Sequence, residues 1–200
     1  MPVTIDEGRL LGLFPELGEI ADSAIRRGVT AIWTEVAAEC PWDDLRAIPK
    51  NLEAEKERRL TDHIRIVTRM ALALAEVAKA ESGTAYNRDH LIAMALLHDV
   101  SKPMECEPVP GAAPNAAGVL PARKSRMGKL IQHAVYATHK VFAHGLPIEI
   151  AHVVNTHTHQ SAMRSVSVEG GYIFYADYAD SDSVIIPDGG RSYLGRWHMA

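Results

Sequence analysis

The sequence has few of the residues that would build a disulfide scaffold, bind a nucleic acid or cross a membrane. Its two cysteines, Cys40 and Cys106, form no Cys-x-x-Cys pair, so histidine and carboxylate must hold any metal. Lys and Arg number 21 against 25 Asp and Glu, a net charge of −4 with no long basic run. No apolar run approaches about 18 residues, and the acidic start lacks the positive segment of a secretory signal. We therefore expect a soluble cytoplasmic protein whose partner is neither a nucleic-acid polymer nor a membrane.

The remaining composition is that of a globular helical protein. Hydrophobic residues make up 47% of the chain and charged residues 23%, a balance that supports a sizeable core. Apolar residues recur at helical spacing in several windows, and no convincing alternating run is present. The sequence predicts an all-α fold with an N-terminal helical extension (1–51), a helical bundle (52–185) and a C-terminal tail (186–200).

Capping and breaking residues divide the first half of the chain. Two short helices are predicted within 6–39, with a break near Gly28. A long helix over 52–80 should end at Ser82-Gly83. A further helix, capped by Asn87 or Asp89, should run to Lys102-Pro103.

The second half begins with prolines and glycines over 103–121, which predict a loop that could cover a site as a lid. Four basic residues follow and could attract an anionic substrate: Arg123, Lys124, Arg126 and Lys129. Further helices are expected over 124–145, 147–160 and 171–182.

Histidine is the abundant chemical group, with ten in the chain. One of them precedes an aspartate at a predicted helix end. Adjacent side chains on a regular helix point about 100° apart, whereas a helix end can turn both toward one ion, so His98 and Asp99 are candidate ligands. Because one helix cannot surround an ion, other elements must contribute. His63, at the start of the apolar stripe of the preceding helix, is the natural third ligand.

These residues resemble the HD superfamily of metal-dependent hydrolases and related oxygenases. The pattern of that family is a histidine, a His-Asp pair and a late aspartate on an α-helical core, and the resemblance runs from about Leu52 to Asp182. His63 fits the first motif. The run from Ala95 to Lys102 fits the second, with Ser101 where many members place glycine. The lysine favours a phosphate-handling subgroup, and the bundle at 52–185 is then an HD domain.

Dinuclear members of the family add two histidines on either side of a Gly-Leu-Pro turn, and this sequence has His133, Gly145-Leu146-Pro147 and His157. The glycine suits a left-handed helix end and the proline the first helical position. His157 points inward because it shares a face with Ile150. Helical phase leaves His133 and His139 open, and only the resemblance selects His133. The histidines left without a role are His90, His139, His144, His152, His159 and His198.

The late aspartate lies in Tyr175-Ala176-Asp177-Tyr178-Ala179-Asp180, where two carboxylates share one helix face. Both fit the local pattern. Asp177 is favoured because it lies earlier in the helix and closer to its apolar body, which leaves Asp180 as a surface acid or a partner of a ligand.

The resemblance implies two divalent ions bridged by Asp99 and a water, with a metal-bound hydroxide that cleaves a small phosphate ester or anhydride, such as a nucleotide. Asp99 and Lys102 are the candidate catalytic residues, and Lys102 would neutralise charge on the phosphoryl group. Mixed nitrogen and oxygen ligands favour Mn²⁺ or Fe²⁺, with Ni²⁺, Co²⁺ and Zn²⁺ compatible. The implied metal ligands are His63, His98, Asp99, His133, His157 and Asp177.

Three alternatives stay open. The same ligands suit a di-iron oxygenase that cleaves a carbon bond with O₂. A non-catalytic regulatory HD domain would keep the fold without the metal, and a one-ion site would leave His133 and His157 with other roles. Four aromatic residues are candidates for a homodimer contact: Trp33, Trp42, Tyr193 and Trp197.

Overall fold

The computed structural model describes residues 5–159, 161–193 and 195. Helices dominate this part of the chain, which confirms the all-α class. The helices are α1 (Glu7–Leu13), α2 (Ser23–Glu39), α3 (Leu60–Ser82), α4 (Arg88–Leu97), α5 (Lys102–Glu105), α6 (Arg126–Leu130), α7 (Val135–Ala143), α8 (Ile148–Thr156) and α9 (Val168–Ile185). Short 3₁₀ turns occupy Pro15–Glu19 and Leu45–Ala47. Two strands, β1 (Cys106–Pro108) and β2 (Ala122–Lys124), pair antiparallel.

Local capping explains where several helices start and stop. The Asp22 carboxylate accepts hydrogen bonds from the amides of Ala24 and Ile25 in the first turn of α2, and the Asn87 side chain accepts from the His90 amide at the start of α4. Gly83 ends α3 in the left-handed conformation, with φ 67°. The stop at Gly83 and the cap at Asn87 agree with the sequence prediction.

The predicted break near Gly28 is wrong, because α2 runs unbroken through that residue. The interruption falls instead between α1 and α2. Gly28 serves packing: a Cβ at this position would lie 2.5 Å from Leu146 Cδ2. The long helix also starts later than predicted, because residues 49–59 form a loop closed by pairing of Pro49 with Arg59.

The segment predicted as a structureless loop over 103–121 contains α5 and β1, and Glu107 of β1 pairs with Arg123 of β2 at 2.8 Å. The helix predicted over 124–145 is broken between α6 and α7. Ala134 in that break has φ 72°, a conformation that costs a non-glycine residue about 1–2 kcal/mol. Pro147 is the N-cap of α8 rather than its first residue.

Helix α4 is the centre of the bundle. Every residue from Leu91 to Leu97 is buried, and the helix packs against α3, α8 and α9. The N-terminal segment joins the same core: the Trp33 indole donates to Leu96 O at 3.1 Å, and the Trp42 indole donates to the carbonyls of Pro103 and Cys106, each at 3.1 Å. The boundary at 51/52 stays a prediction.

The proposed dimer contact through Trp33 and Trp42 is wrong, because both rings are 2% exposed or less and pack within the chain. Tyr193 lines the cavity described below, and Trp197 lies outside the described residues. No helix within the described ranges has the length and apolar character needed to cross a bilayer.

Candidate metal centre

Six side chains predicted as metal ligands converge at one end of the bundle. His63 comes from the first turn of α3, and His98 and His157 are the C-terminal caps of α4 and α8. Asp99 follows His98 in the turn before α5. The remaining two are His133, which precedes α7, and Asp177, which lies on α9. Residues far apart in the chain therefore meet because α3 and α7 begin, and α4 and α8 end, beside the middle of α9.

The six side chains form two groups of three. Within each group, every side chain can offer one ligand atom to a common ion. In the first, His63 Nε2 lies 3.3 Å from His98 Nε2 and 3.2 Å from Asp177 Oδ1. In the second, His133 Nε2 lies 3.3 Å from His157 Nε2 and 3.2 Å from Asp99 Oδ1. Within each group the donor atoms all lie within 4.8 Å of one another.

Asp99 reaches both groups with different oxygens. Its Oδ2 lies 3.4 Å from the Nε2 atoms of both His63 and His98. Its Oδ1 faces His133, as above, and lies 3.7 Å from His157 Nε2. One carboxylate therefore spans the two groups, an arrangement that suits a bridging ligand.

The opposite ring nitrogen of each histidine is already occupied. An acceptor at Nδ1 places the proton there, so a neutral ring presents a lone pair at Nε2. The pairs are His63 with Asp180 Oδ2 (2.6 Å), His98 with Ala95 O (2.6 Å), His133 with Glu105 Oε1 (2.8 Å) and His157 with Val154 O (2.7 Å). The Nε2 atoms of His63 and His98 lie close together, and so do those of His133 and His157. Within each pair the two lone pairs repel each other unless a cation lies between them. The donor set therefore fits divalent metal.

The residues that the sequence leaves as alternative ligands occupy different environments in the structure. His139 is exposed on α7, whereas His133 faces the other ligands. Asp180 is not a surface acid: it is 1% exposed and lies between His63 Nδ1 and Arg58 NH2, each at 2.6 Å. Asp177 is the aspartate that faces His63 Nε2.

Charge around the site favours ionised carboxylates. Burial alone would raise the pKa of Asp99, but Lys102 and the histidines hold it well below its usual range. Burial would also raise the pKa of Asp177, but Lys50 and His63 hold it well below its usual range. Burial lowers the pKa of His133, but Asp99 and Glu105 outweigh it and raise that pKa to about 9. Despite burial, the pKa of His63 is also raised, by Asp177, Asp180 and Asp99, so without metal the protonated forms of His63 and His133 offset part of the carboxylate charge.

A cavity of about 500 Å³ opens onto the ligands. Its walls come from loop residues 49–54, from the turn carrying Lys102 and Glu105, and from residues 157–159 and Tyr178. Of the predicted lid, Glu105 and Cys106 line the cavity, whereas the Asn115 side chain instead donates to Glu57 O at 3.0 Å. The predicted lid therefore braces a neighbouring loop.

Sequence reasoning missed Lys50 and Glu105, both of which line the cavity. Lys50 belongs to the predicted N-terminal extension, and no local pattern indicates that its loop folds back onto α9. Glu105 lies one α5 turn after Ser101, in a segment that the sequence predicts as loop. With α5 recognised, its acid could have been matched to the histidine it orients.

Comparison with known proteins identifies the class of this molecule. The HD domain family model matches residues 60–182, which is more than half of the chain. The chain therefore belongs to the HD superfamily of metal-dependent phosphohydrolases, and the resemblance seen in its motifs is confirmed.

One relative gives a more particular likeness. The chain is 31% identical over 126 residues to the dihydroneopterin 2',3'-cyclic phosphate phosphodiesterase of Methanocaldococcus jannaschii. The aligned part is 62% of this chain but 47% of the relative, so the chain spans about half of that protein's length. No solved structure gives a significant match.

Proposed function

We propose that this chain is a binuclear metal-dependent phosphohydrolase that uses water to cleave a small phosphate ester. The observation that carries the proposal is the position of Asp99. Its two oxygens face two separate groups of donors, His63 and His98 on one side, His133 and His157 on the other. A single bridging carboxylate between two such groups is suited to a pair of ions.

The proposed ligands are His63, His98 and Asp177 for one ion and His133 and His157 for the other, with Asp99 shared. When bound, two divalent ions lower the pKa of a coordinated water and polarise a phosphoryl oxygen. The mixture of imidazole and carboxylate favours Mn²⁺ or Fe²⁺, and Ni²⁺, Co²⁺ or Zn²⁺ would also suit it.

The protein's own groups orient this site. Asp180 and Glu105 hold the rings of His63 and His133 by their Nδ1 atoms, which keeps both Nε2 atoms directed at the centre. Lys102 donates to Asp99 Oδ2 at 2.7 Å, so its positive charge lies beside the proposed reaction centre. There it would stabilise negative charge that develops on a phosphoryl group.

The substrate we propose is a small anionic phosphate ester, with a cyclic phosphodiester as the first to test. The relative's name supplies the cyclic phosphate, and the cavity of about 500 Å³ suits a nucleotide-sized molecule rather than a polymer. Lys50 and Lys102 on its wall favour an anion.

The test combines metal content with turnover. Protein purified without oxygen should contain two ions per chain by elemental analysis, and it should hydrolyse at least one of adenosine 2',3'-cyclic phosphate, bis-p-nitrophenyl phosphate and p-nitrophenyl phosphate. His98→Ala should lose metal and activity, whereas His139→Ala, a change at an exposed histidine, should retain both.

Three results would contradict the proposal in different ways. One ion per chain would remove His133 and His157 from the ligand set. Oxygen uptake by iron-loaded protein without hydrolysis of any phosphate ester would favour an oxygenase. A metal-free protein whose biological activity survives His98→Ala would be a regulatory domain.

We also propose a cytoplasmic location, supported by two cysteines that are buried and free, Cys40 and Cys106. Oxidation-insensitive mobility on non-reducing gels would agree with this. Whether two chains associate, as the sequence suggested, is decided by light scattering; the contact would have to use surfaces other than Trp33 and Trp42.

A further inference from the structure

Lys50 enters the site from a part of the chain that precedes the family match. It belongs to the loop of residues 49–59, called here the 49–59 loop. The loop is closed by backbone hydrogen bonds from Lys50 N to Arg58 O (2.8 Å) and from Leu60 N to Ile48 O (2.9 Å). The Asn51 side chain stiffens its interior by accepting from two amides of the loop, each at 3.0 Å. Lys50 is therefore held by an ordered frame.

The Lys50 ammonium is buried, and the side chain is 6% exposed where it lines the cavity. Ser181 Oγ, at 3.1 Å, is the one acceptor within hydrogen-bonding distance of Nζ among the described residues. Glu55 Oε2 and Asp177 Oδ1 lie at 3.6 and 3.7 Å, close enough for charge attraction but too far for hydrogen bonds. Because an ammonium has three donors, two remain for a ligand in the cavity.

Lys102, the lysine that the family motif supplies, has fewer unused hydrogen-bond donors than Lys50. Its Nζ donates to Asp99 Oδ2 at 2.7 Å and to the backbone carbonyl of Lys50 at 3.0 Å. Two of its three donors are thus used within the protein. The second of these bonds also ties the 49–59 loop to the turn that carries Asp99.

We propose that Lys50 is a substrate-binding residue that donates hydrogen bonds to an oxygen of the substrate's phosphoryl group. This inference rests on the proposed function and extends it, because it places a specificity-determining cation outside the family core. A buried ammonium whose donors are not all used is suited to an anionic acceptor, with which it forms charge-assisted hydrogen bonds. Glu55 and Asp177 balance its charge in the absence of substrate, and neither satisfies those donors.

The test measures binding of inorganic phosphate to metal-loaded protein by calorimetry, so that it does not depend on turnover. Lys50→Met should weaken phosphate binding roughly 10- to 100-fold, the range for one lost charge-assisted interaction. The KM of a hydrolysed ester should rise by a similar factor, with a smaller change in kcat. Lys50→Arg should recover part of the affinity because it keeps the charge.

The matched control is Lys56→Met, which removes an exposed lysine from the same loop and should change neither binding nor KM. Metal content separates substrate binding from a structural role. Removing a cation beside Asp177 should leave metal affinity equal or tighter, so loss of metal from Lys50→Met would mean that Lys50 only positions that ligand, and would overturn the proposal.

Wild-type phosphate affinity in Lys50→Met would also overturn it while leaving the proposed function intact. Conversely, a wild-type protein that binds metal and phosphate but hydrolyses no ester would refute the proposed function, and the Lys50 comparison would still be decided by phosphate binding. If Lys50→Met does not fold by circular dichroism, Lys50→Gln and Lys50→Arg give the same contrast of neutral against charged.

Discussion

Asp180→Asn tests whether the carboxylate behind His63 orients it as a metal ligand. In the native protein one oxygen of Asp180 accepts from His63 Nδ1 and the other from Arg58 NH2, both at 2.6 Å. Asparagine has one acceptor oxygen and one NH₂ donor. Whichever way the amide turns, its NH₂ group faces either the imidazole N–H or the guanidinium, so one of the two contacts is lost.

The size of the expected loss in metal affinity follows from the role of Asp180 as the group that orients His63. Loss of the group that orients a ligating histidine typically reduces metal affinity by about 10- to 100-fold, which corresponds to about 1.4–2.7 kcal/mol. The loss should be confined to the ion proposed to bind His63, His98 and Asp177. Neither His133 nor His157 touches Asp180, so the affinity for the other ion should stay near its native value.

A titration of metal-free protein with Mn²⁺, followed by electron paramagnetic resonance of the free ion, resolves the two affinities. The matched control is Asp62→Asn, which removes an exposed carboxylate next to His63 in the chain. Native affinity at both ions in Asp180→Asn, or an equal loss in Asp62→Asn, would refute the reasoning.

Further predictions concern stability. The metal-free protein should lose stability as pH rises from about 6.5 to about 9, because the folded-state pKa of His133 is raised to about 9 and its protonated form is stabilised only in the fold. Glu105→Gln should flatten this part of a plot of Tm against pH. A flat profile for the native protein over this range would contradict the prediction. Gly128→Ala should destabilise by about 1–3 kcal/mol, since a Cβ there would lie 2.0 Å from the Glu105 carbonyl oxygen. Gly12→Ala, where a Cβ meets nothing within 4 Å, should be neutral or stabilising; equal Tm changes in the two glycine variants would count against the packing argument.

The sequence indicated most of the helices and the residues that converge, for reasons that are local. Gly83 and Asn87 are caps whose chemistry acts within a few residues. His98 lies at the end of an apolar helix, so its direction follows from the buried face. His157 follows in the same way from its phase with Ile150. Periodicity therefore carries information about any ligand that lies on or at the end of a regular helix.

The rest depends on contacts that periodicity does not encode. His133 lies in a break between helices, so helical phase could not distinguish it from His139. A glycine such as Gly28 gives the same sequence signal whether it ends a helix or makes room for a neighbour such as Leu146, so the sequence alone predicts a break there. Lys50 reaches the site only because an irregular loop folds back, which is a tertiary event.

The two indoles that fasten the N-terminal segment also bracket the turn that carries His98, Asp99 and Lys102. Trp33 is bonded to the carbonyl of Leu96 before the turn, and Trp42 to the carbonyls of Pro103 and Cys106 after it. Both rings are shielded from water. The turn is thus held at each end by a fluorophore, so metal binding that shifts this turn should change the tryptophan emission of the protein, which is measured without any label.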